Sequence, residues 1–202
     1  MSKHEEIINR LFKILCSFKR QPLALRDYLD EHMTGKFYPD REVIYDRDST
    51  VKEAIFVSDG YVACYGFDEN GDRQVVSIHG KDTIIAGKSF MSQQPSAFEW
   101  VCLSGAYVLK ISASHMEEVY ARFEDAEELA RLVMADGSEK ELARLQLLKR
   151  DAETVVLDFY NNHPEFKVPG SLMIDADIAS YLLISESTLR NTRAKLIRDG
   201  KL

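Results

Sequence analysis

Near the C-terminus, a run of polar side chains has the types and the spacing needed to contact nucleic acid. Arg and Asn can read guanine and adenine in the major groove, and Ser and Thr commonly bind backbone phosphates. The candidate contact residues are Ser185, Ser187, Thr188, Arg190, Asn191, Arg193 and Lys195. The alternative interpretation of these positions is the solvated outer face of a structural helix.

Apolar residues within and beside this run predict two helices joined by a tight turn. The first helix carries Ile178, Ala179 and Leu182, and the second carries Leu189 and Leu196 on its inner face. A small side chain in the first helix allows the two helices to cross closely. The pattern is typical of a helix-turn-helix, whose second helix enters the major groove of DNA.

The sequence departs from this pattern in two places. Leu183 stands where a glycine is usual, and a left-handed backbone there would cost a leucine about 1 kcal/mol. Thr192 stands where an aliphatic residue is usual. Ser185, which follows the turn, remains a good candidate to cap the second helix.

The net charge of the whole chain argues against nucleic-acid binding, whereas the charge of its last segment argues for it. The formal value is −7, from 26 Lys and Arg against 33 Asp and Glu, which excludes a generally basic coat protein. Segment 187–202 has five basic residues and one acid, so it carries +4 and the remainder carries −11. This distribution predicts a site-specific and strongly salt-dependent contact through the last helix.

The residues that precede this motif predict a β-rich region flanked by helices. Apolar side chains between Ile7 and Leu15 follow a helical period. The pair Asn70-Gly71 is typical of a hairpin turn. The predicted strands are 43–45, 54–57, 61–65, 74–78, 83–85, 100–103 and 107–111. We therefore expect an α+β fold with an N-terminal antiparallel β-roll.

A long, weakly apolar helix is predicted between about 124 and 150. Its apolar side chains on roughly one face are Leu129, Leu132, Val133, Ala143 and Leu147. Such a helix pairs with a partner helix or packs on its own domain, and we expect dimerisation through these residues. The predicted domains are a sensor at 1–123, a linker and dimerisation helix at 124–150, and a DNA-binding domain at 151–202.

Several functional classes are disfavoured by residue spacing. The three cysteines are scattered, and the five histidines form no i,i+4 pair, so we expect no metal site and no cofactor. Only His79 lies among the predicted strands, so the metal site of a cupin-like enzyme cannot be assembled and no catalytic residue is expected. The start of the chain is polar, and no stretch approaches the roughly 20 apolar residues of a membrane helix. We therefore expect a cytoplasmic protein without a membrane partner.

The order of helix, β-roll, long helix and helix-turn-helix resembles the Crp/Fnr family of bacterial transcription regulators, in particular its Bacteroidetes-type branch. The segments that carry the resemblance are FVSDG (56–60), DENGD (68–72), SFMSQQPS (89–96), LQLL (145–148), FYNNHPEF (159–166) and IASYLLIS (178–185). The resemblance implies a homodimer that joins through its long helix and binds two-fold symmetric DNA. It also makes RNA polymerase a candidate partner.

The cyclic-nucleotide pocket implied by this resemblance lacks its charged residues. The family loop carries Gly-Glu followed by an Arg that neutralises the cyclic phosphate. Here Ala86 stands about where the Glu would be, and no Arg occurs between Arg73 and Arg122. Lys88 offers a point charge and no bidentate fork. We therefore predict that cAMP and cGMP do not bind in this mode, and the effector stays unidentified.

Two functions remain open on the sequence. The first is a homodimeric, DNA-binding transcription regulator without a cyclic-nucleotide response. The alternative is a ligand-sensing or protein-interaction module whose helix-turn-helix no longer binds DNA, which Leu183 and Thr192 motivate. The β-region aromatic residues are interpreted as core and receive no ligand role.

Overall fold

A computed structural model describes residues 2–202 and has an α+β architecture, as expected. Its antiparallel strands form two four-stranded sheets, with the orders β1-β8-β3-β6 and β2-β7-β4-β5. The strands are β1 (Thr34–Tyr38), β2 (Glu42–Tyr45), β3 (Glu53–Asp59), β4 (Val62–Phe67), β5 (Arg73–His79), β6 (Thr83–Ile85), β7 (Glu99–Cys102) and β8 (Ala106–Ser112). All seven predicted strands are present, and β1 was not among them because most of its side chains are exposed.

Helices flank the strands on both sides in sequence. They are α1 (Lys3–Phe18), α2 (Leu23–His32), α3 (Lys88–Ser92), α4 (Ala113–Arg122), α5 (Ala126–Leu147), α6 (Ala152–Asn162), α7 (Asp175–Tyr181) and α8 (Glu186–Arg198), with a 3-10 turn at Pro164–Lys167. The short helix α3 had been predicted as loop. Across residues 2–202, no helix combines the length and the apolar character needed to span a membrane.

Side-chain caps determine where several helices begin. The hydroxyl of Ser112 accepts a hydrogen bond from the His115 amide at the start of α4. The Asp151 carboxylate accepts from the Thr154 amide at the start of α6. Each cap satisfies an amide that the first helical turn leaves without a partner.

The loop between β4 and β5 contains the predicted turn, but only one of the two residues of the Asn-Gly pair is left-handed. Gly71 has a φ of +85°, whereas Asn70 is absent from the residues with positive φ. The Asp68 carboxylate accepts hydrogen bonds from the amides of Asn70 and Asp72, both at 2.9 Å. The loop therefore needs a left-handed glycine and an Asx-type turn rather than two left-handed residues.

The chain divides into two compact units whose limits differ from the predicted domains. The first unit runs up to Ala63 and continues over Ile78–Ser138, and the second contains Cys64–Ser77 and Glu139–Leu202. The division therefore falls inside α5, and the segment from within β4 to within β5 is grouped with the C-terminal helices. The predicted boundaries at 123 and 150 stay a prediction.

Alternation along β3 explains how one strand serves two apolar clusters in the first unit. Phe56 is buried against residues of α1, α2 and α4. Its neighbours Ile55 and Val57 point to the opposite face and pack with Val108 and other strand residues. A strand places successive side chains on opposite faces, so its continuous apolar run fills both sides of the sheet.

The second unit has a smaller apolar core built mainly by helices. Phe159 of α6 and Ile178 of α7 are buried there, together with Leu189 and Leu196 of α8. The inward positions predicted for the two C-terminal helices are therefore confirmed for these residues. This core fixes which face of α8 remains available to solvent.

Candidate nucleic-acid interface

The turn between α7 and α8 places Leu183 in the left-handed backbone region, where we expect a leucine to carry a steric cost. Leu183 has a φ of +53°, and its side chain is 72% exposed. The next amide, that of Ile184, donates to the carbonyl of Ala179 at 3.1 Å and so closes the end of α7. A leucine in this backbone region pays a steric cost that a glycine does not.

Helix α8 begins at a good cap and presents a polar face from its first turns. The Ser185 hydroxyl accepts a hydrogen bond from the Thr188 amide, which confirms the predicted N-cap. Ser187, Arg190 and Asn191 are exposed, and Thr188 is half-buried. The first two turns of α8 therefore present hydroxyl, guanidinium and amide groups to solvent.

Arg190 occupies the exposed part of this face. Its side chain is 61% exposed and forms an ion pair with Asp175 at 3.1 Å, as well as one with Glu186 on the same helix. Exposed ion pairs of this kind are worth about 0–1 kcal/mol, so Arg190 can exchange them for another anion at little cost.

Arg193 lies differently from the outward position that the sequence predicted. Its side chain is only 12% exposed. Its guanidinium donates to both carboxylate oxygens of Asp175, at 2.7 and 2.8 Å, and to the hydroxyl of Tyr160 at 3.0 Å. This bidentate pair holds the pKa of Asp175 below its ordinary value, with a smaller contribution from Arg190. The geometry makes Arg193 a structural residue that joins α8 to α6 and α7.

The C-terminal half of α8 is also paired with acids. Lys195 forms an ion pair with Glu153, and Lys201 binds the other oxygen of the same carboxylate at 2.7 Å. These two hydrogen bonds lower the pKa of Glu153. The +4 of segment 187–202 is therefore partly neutralised by acids elsewhere in the second unit.

The hairpin segment grouped with the second unit holds α7 through buried hydrogen bonds. The Tyr65 hydroxyl donates to the Asp177 carboxylate at 3.1 Å, and both groups are buried. The amide of Val75 donates to the Ser180 hydroxyl, also at 3.1 Å. These contacts fix α7, which in turn carries the Asp175 that orients Arg193.

Arg144 adds a further restraint on the end of α7. Its guanidinium donates to the Tyr181 carbonyl at 3.1 Å and lies over the Tyr181 ring, 4.7 Å from the centroid. Glu141 binds the same guanidinium and raises the pKa of Arg144. The C-terminal part of α5 is thereby attached to α7 by charge-assisted and cation–π contacts.

The apolar residues predicted to form the dimer seam fall into different environments. Leu129 is buried in the first unit's own core, and Val133 packs against that core. Leu132 and Ala143 are exposed, and Leu147 is half-buried. Sequence reasoning missed Leu142 and Leu145, which are 62% and 42% exposed. Their three-residue spacing in the polar second half of α5 could have indicated an apolar stripe there.

In the segment that would correspond to the nucleotide-binding loop, the Ser89 hydroxyl is paired with other groups of the protein. Lys88 is exposed, and the hydroxyl of Ser89 donates to the Gln94 carbonyl at 2.5 Å. The same hydroxyl accepts from the Val51 amide at 3.0 Å. No group of three or more His, Cys, Asp or Glu residues within 2–202 could hold a metal ion.

Comparison with known proteins identifies the β-rich segment and the fold. Residues 35–123, under half of the chain, match the family described as Cyclic nucleotide-binding domain. No curated protein matches the sequence significantly. FixK2 from Bradyrhizobium japonicum superposes with a TM-score of 0.68 at 19% identity, over 83% of this chain and 86% of that one.

Two further solved structures have the same fold. A Eubacterium rectale protein described as a transcriptional regulator of the crp/fnr family gives a TM-score of 0.65 at 11% identity, over 89% of this chain and 85% of that one. A cyclic nucleotide-binding domain containing protein from Listeria monocytogenes gives 0.59 at 17% identity, over 93% and 90% of the two chains. The Bacteroidetes-type branch stays a prediction. The chain thus has the fold of Crp/Fnr-type regulators, and its residues 35–123 match cyclic nucleotide-binding domains.

Proposed function

We propose that this protein is a homodimeric, DNA-binding transcription regulator of the Crp/Fnr type, with α8 as its recognition helix. The observation that carries the proposal is the exposed polar face at the start of α8, formed by Ser187, Arg190 and Asn191 on a helix whose inner face is anchored by buried leucines. Residues at the start of a recognition helix are those that contact base edges. The likeness to regulators of the same fold supports this assignment.

In this proposal, Arg190 and Asn191 contact base edges, and Ser185, Ser187 and Thr188 contact phosphates. Lys195 contributes to the electrostatic attraction, and Arg193 positions the helix through Asp175 rather than reaching the DNA. The predicted contact set is thereby divided into residues that touch DNA and one that orients them.

Dimerisation is proposed through the exposed apolar residues of α5. Leu132, Leu142 and Leu145 are all exposed on this helix, and apolar positions at helical spacing bury themselves against a second copy. We expect Leu142→Glu to shift the dimer towards monomer in sedimentation velocity. Leu23→Glu, at an equally exposed leucine of α2, is the matched control and should leave the dimer intact. A monomeric wild-type chain would contradict this part of the proposal.

The DNA proposal is tested by selecting bound sequences from a random pool with the full chain, followed by affinity measurements on the enriched site. A dimer should enrich half-sites about 34 Å apart, one helical turn of DNA. Arg190→Ala should weaken binding to that site by roughly tenfold or more, since an arginine–guanine contact is worth about 1–3 kcal/mol. It should also relax the preference at one base position.

Arg122→Ala provides a matched control for Arg190→Ala. Arg122 is similarly exposed and pairs with a glutamate four residues away, Glu118, as Arg190 does with Glu186. The control should leave DNA affinity unchanged. Equal affinities of all three proteins for the enriched site, or a pool without enrichment, would overturn the proposal.

A response to cyclic nucleotides is not part of the proposed function. The family's mode of binding a cyclic phosphate uses the bidentate fork of an arginine, and residues 74–121 contain no arginine. Millimolar cAMP or cGMP should therefore leave the thermal unfolding temperature within about one degree, because ligand binding to the native state alone stabilises it. A rise of several degrees would contradict this expectation.

The second candidate is a ligand-sensing or protein-interaction module without DNA binding. The exposed and strained Leu183 favours it, because an apolar side chain at the turn is unusual on a surface that faces phosphate. RNA polymerase is a candidate partner in either case. An unenriched DNA pool combined with a stable dimer would favour this second function.

A further inference from the structure

The first unit contains an apolar cavity of about 110 Å³. Its floor includes Phe56 of β3 and Ile111 of β8, and its walls come from α1, α2 and α4. The first turns of α5 line one side of it with Leu129 and Val133, and the cavity is partly open to solvent. The cavity therefore lies where the helices of the first unit meet its sheet.

The chemistry of the lining is almost entirely apolar. Among the side chains that line the cavity, Tyr120 alone carries a polar group, and none is charged. A charged or phosphorylated ligand would lose its hydration without gaining a partner, at a cost of several kcal/mol. The cavity therefore excludes cyclic nucleotides and selects for uncharged molecules.

We propose that this cavity is a binding site for a small, uncharged, apolar molecule of about the size of one hydrocarbon ring. Apolar cavities stay dry, and an engineered cavity of roughly 150 Å³ lined by Leu, Ile and Phe binds benzene or xenon. An occupant would restore the dispersion contacts that the lining side chains lack. Binding here does not depend on the proposed DNA binding, so either can fail alone.

Methionines give the cavity an adaptable wall. Met33, Met91, Met116 and Met134 all line it. Met33 is buried, whereas Met91 and Met134 are among the exposed large apolar residues, which places them at the edge of the cavity. Unbranched thioether side chains reshape easily around apolar ligands, so the site can accept a range of small rings and chains.

These residues also provide the probe for the test. The chain has six methionines, and Met173 is buried in the second unit and does not line the cavity. In the full-length protein labelled with ¹³C at the methionine methyl groups, titration with benzene should shift the signals of the four lining methionines saturably. The signal of Met173 should stay in place. Absence of any saturable shift at the four positions would overturn the proposal.

Two variants on α5 separate occupation of the cavity from a general effect. Ala130 lines the cavity, whereas Ala135 is exposed five residues further along the same helix. Ala130→Leu fills part of the space and should weaken benzene binding at least tenfold, because the larger side chain and the ligand compete for the same volume. Ala135→Leu should leave the affinity unchanged. Equal affinities of both variants and the wild type would place the bound benzene elsewhere and refute the proposed site.

Two further experiments test the chemical class of the ligand and whether a second copy of the chain occupies the cavity instead. Benzoate, which adds a carboxylate to the same ring, should give no saturable shifts at the four methionines. Binding of benzoate as tight as that of benzene would contradict the apolar assignment. If the four signals instead shift on dilution of the protein and not with benzene, a second copy of the chain fills the cavity and the proposal is wrong.

Discussion

In the first unit, side chains from α1, α2, α4 and β3 meet in clusters that are apolar throughout, whereas in the second unit Asp175, Arg193 and Tyr160 form one hydrogen-bonded group beside a smaller apolar core. The first arrangement has little dependence on pH or salt, since apolar burial involves no titrating group. The second depends on a carboxylate that remains ionised.

This difference follows from the surface that each unit forms: an apolar cavity in the first and an exposed polar helix in the second. The first unit forms a partly open apolar cavity, and its helices pack on a continuous apolar sheet face. The second unit exposes a polar helix, so the side chains that orient α8 cannot all be apolar. Charge-assisted hydrogen bonds supply fixed geometry where apolar contacts are few. The predictions below test this contrast, from the largest effect to the smallest.

The largest effect is expected from truncation in the first unit. Leu25→Ala should destabilise that unit by about 3–4 kcal/mol, because Leu25 is buried and its removal enlarges a cavity it already lines. Hydrogen exchange of the first unit's core amides measures the loss. The cost should be the same at pH 7 and pH 5, and Leu23→Ala, on the exposed side of α2, should cost less than about 0.5 kcal/mol.

In the second unit, Asp175→Asn should cost about 2–3 kcal/mol at pH 7, because it removes a charged partner of the largely buried Arg193. The folded-state pKa of Asp175 is lowered from its ordinary 3.8, so its stabilisation is present above that value and is lost as the pH falls through the lowered pKa. The difference between the wild type and the variant should therefore stay constant above about pH 4 and shrink as the pH falls below it.

Urea titrations between pH 3 and pH 7 provide the measurement for Asp175→Asn. Glu186→Gln is the matched control, since it removes an exposed carboxylate that pairs with Arg190. Its cost should stay below about 0.5–1 kcal/mol at every pH. A pH-independent difference between Asp175→Asn and the wild type would remove the contrast between the two units.

A smaller loss is expected from Tyr65→Phe, about 1–2 kcal/mol, because it leaves the buried Asp177 carboxylate without one of its donors. Protection of the α7 amides from hydrogen exchange should fall accordingly. Tyr61→Phe provides a tyrosine control in the first unit and should leave the protection of α7 unchanged. Full protection in Tyr65→Phe would mean that the hairpin segment does not restrain α7.

The smallest expected effect is an increase in the stability of the second unit. Leu183→Gly should stabilise the second unit by up to about 1 kcal/mol, because glycine adopts the φ of +53° without a Cβ clash. Leu183→Ala keeps the Cβ and should bring no comparable gain. Thermal unfolding of both variants measures the difference, and equal transition temperatures would show that the turn stores no strain at this residue.

Local patterns in the sequence were sufficient for much of the fold. β6 matches its predicted bounds of 83–85, and the cap at Ser185 was expected from residue type. These features depend on residues a few positions apart, whose interactions are fixed by backbone geometry. β1 and α3 escaped prediction because neither has a strong pattern of its own, and tertiary pairing with β8 explains the former.

The sequence by itself determined the types of element, their order, the inner face of α8 and the basic character of the last segment. Only the tertiary structure decided which arginine is exposed, because both lie on one polar helix and both pair with Asp175 of α7, yet Arg193 is largely buried and Arg190 is not. The same holds for Leu129, which the first unit buries, and for the cavity, which no local pattern encodes. Spacing along a chain fixes helix faces and turns, whereas partners distant in sequence fix burial, charge pairing and enclosed space.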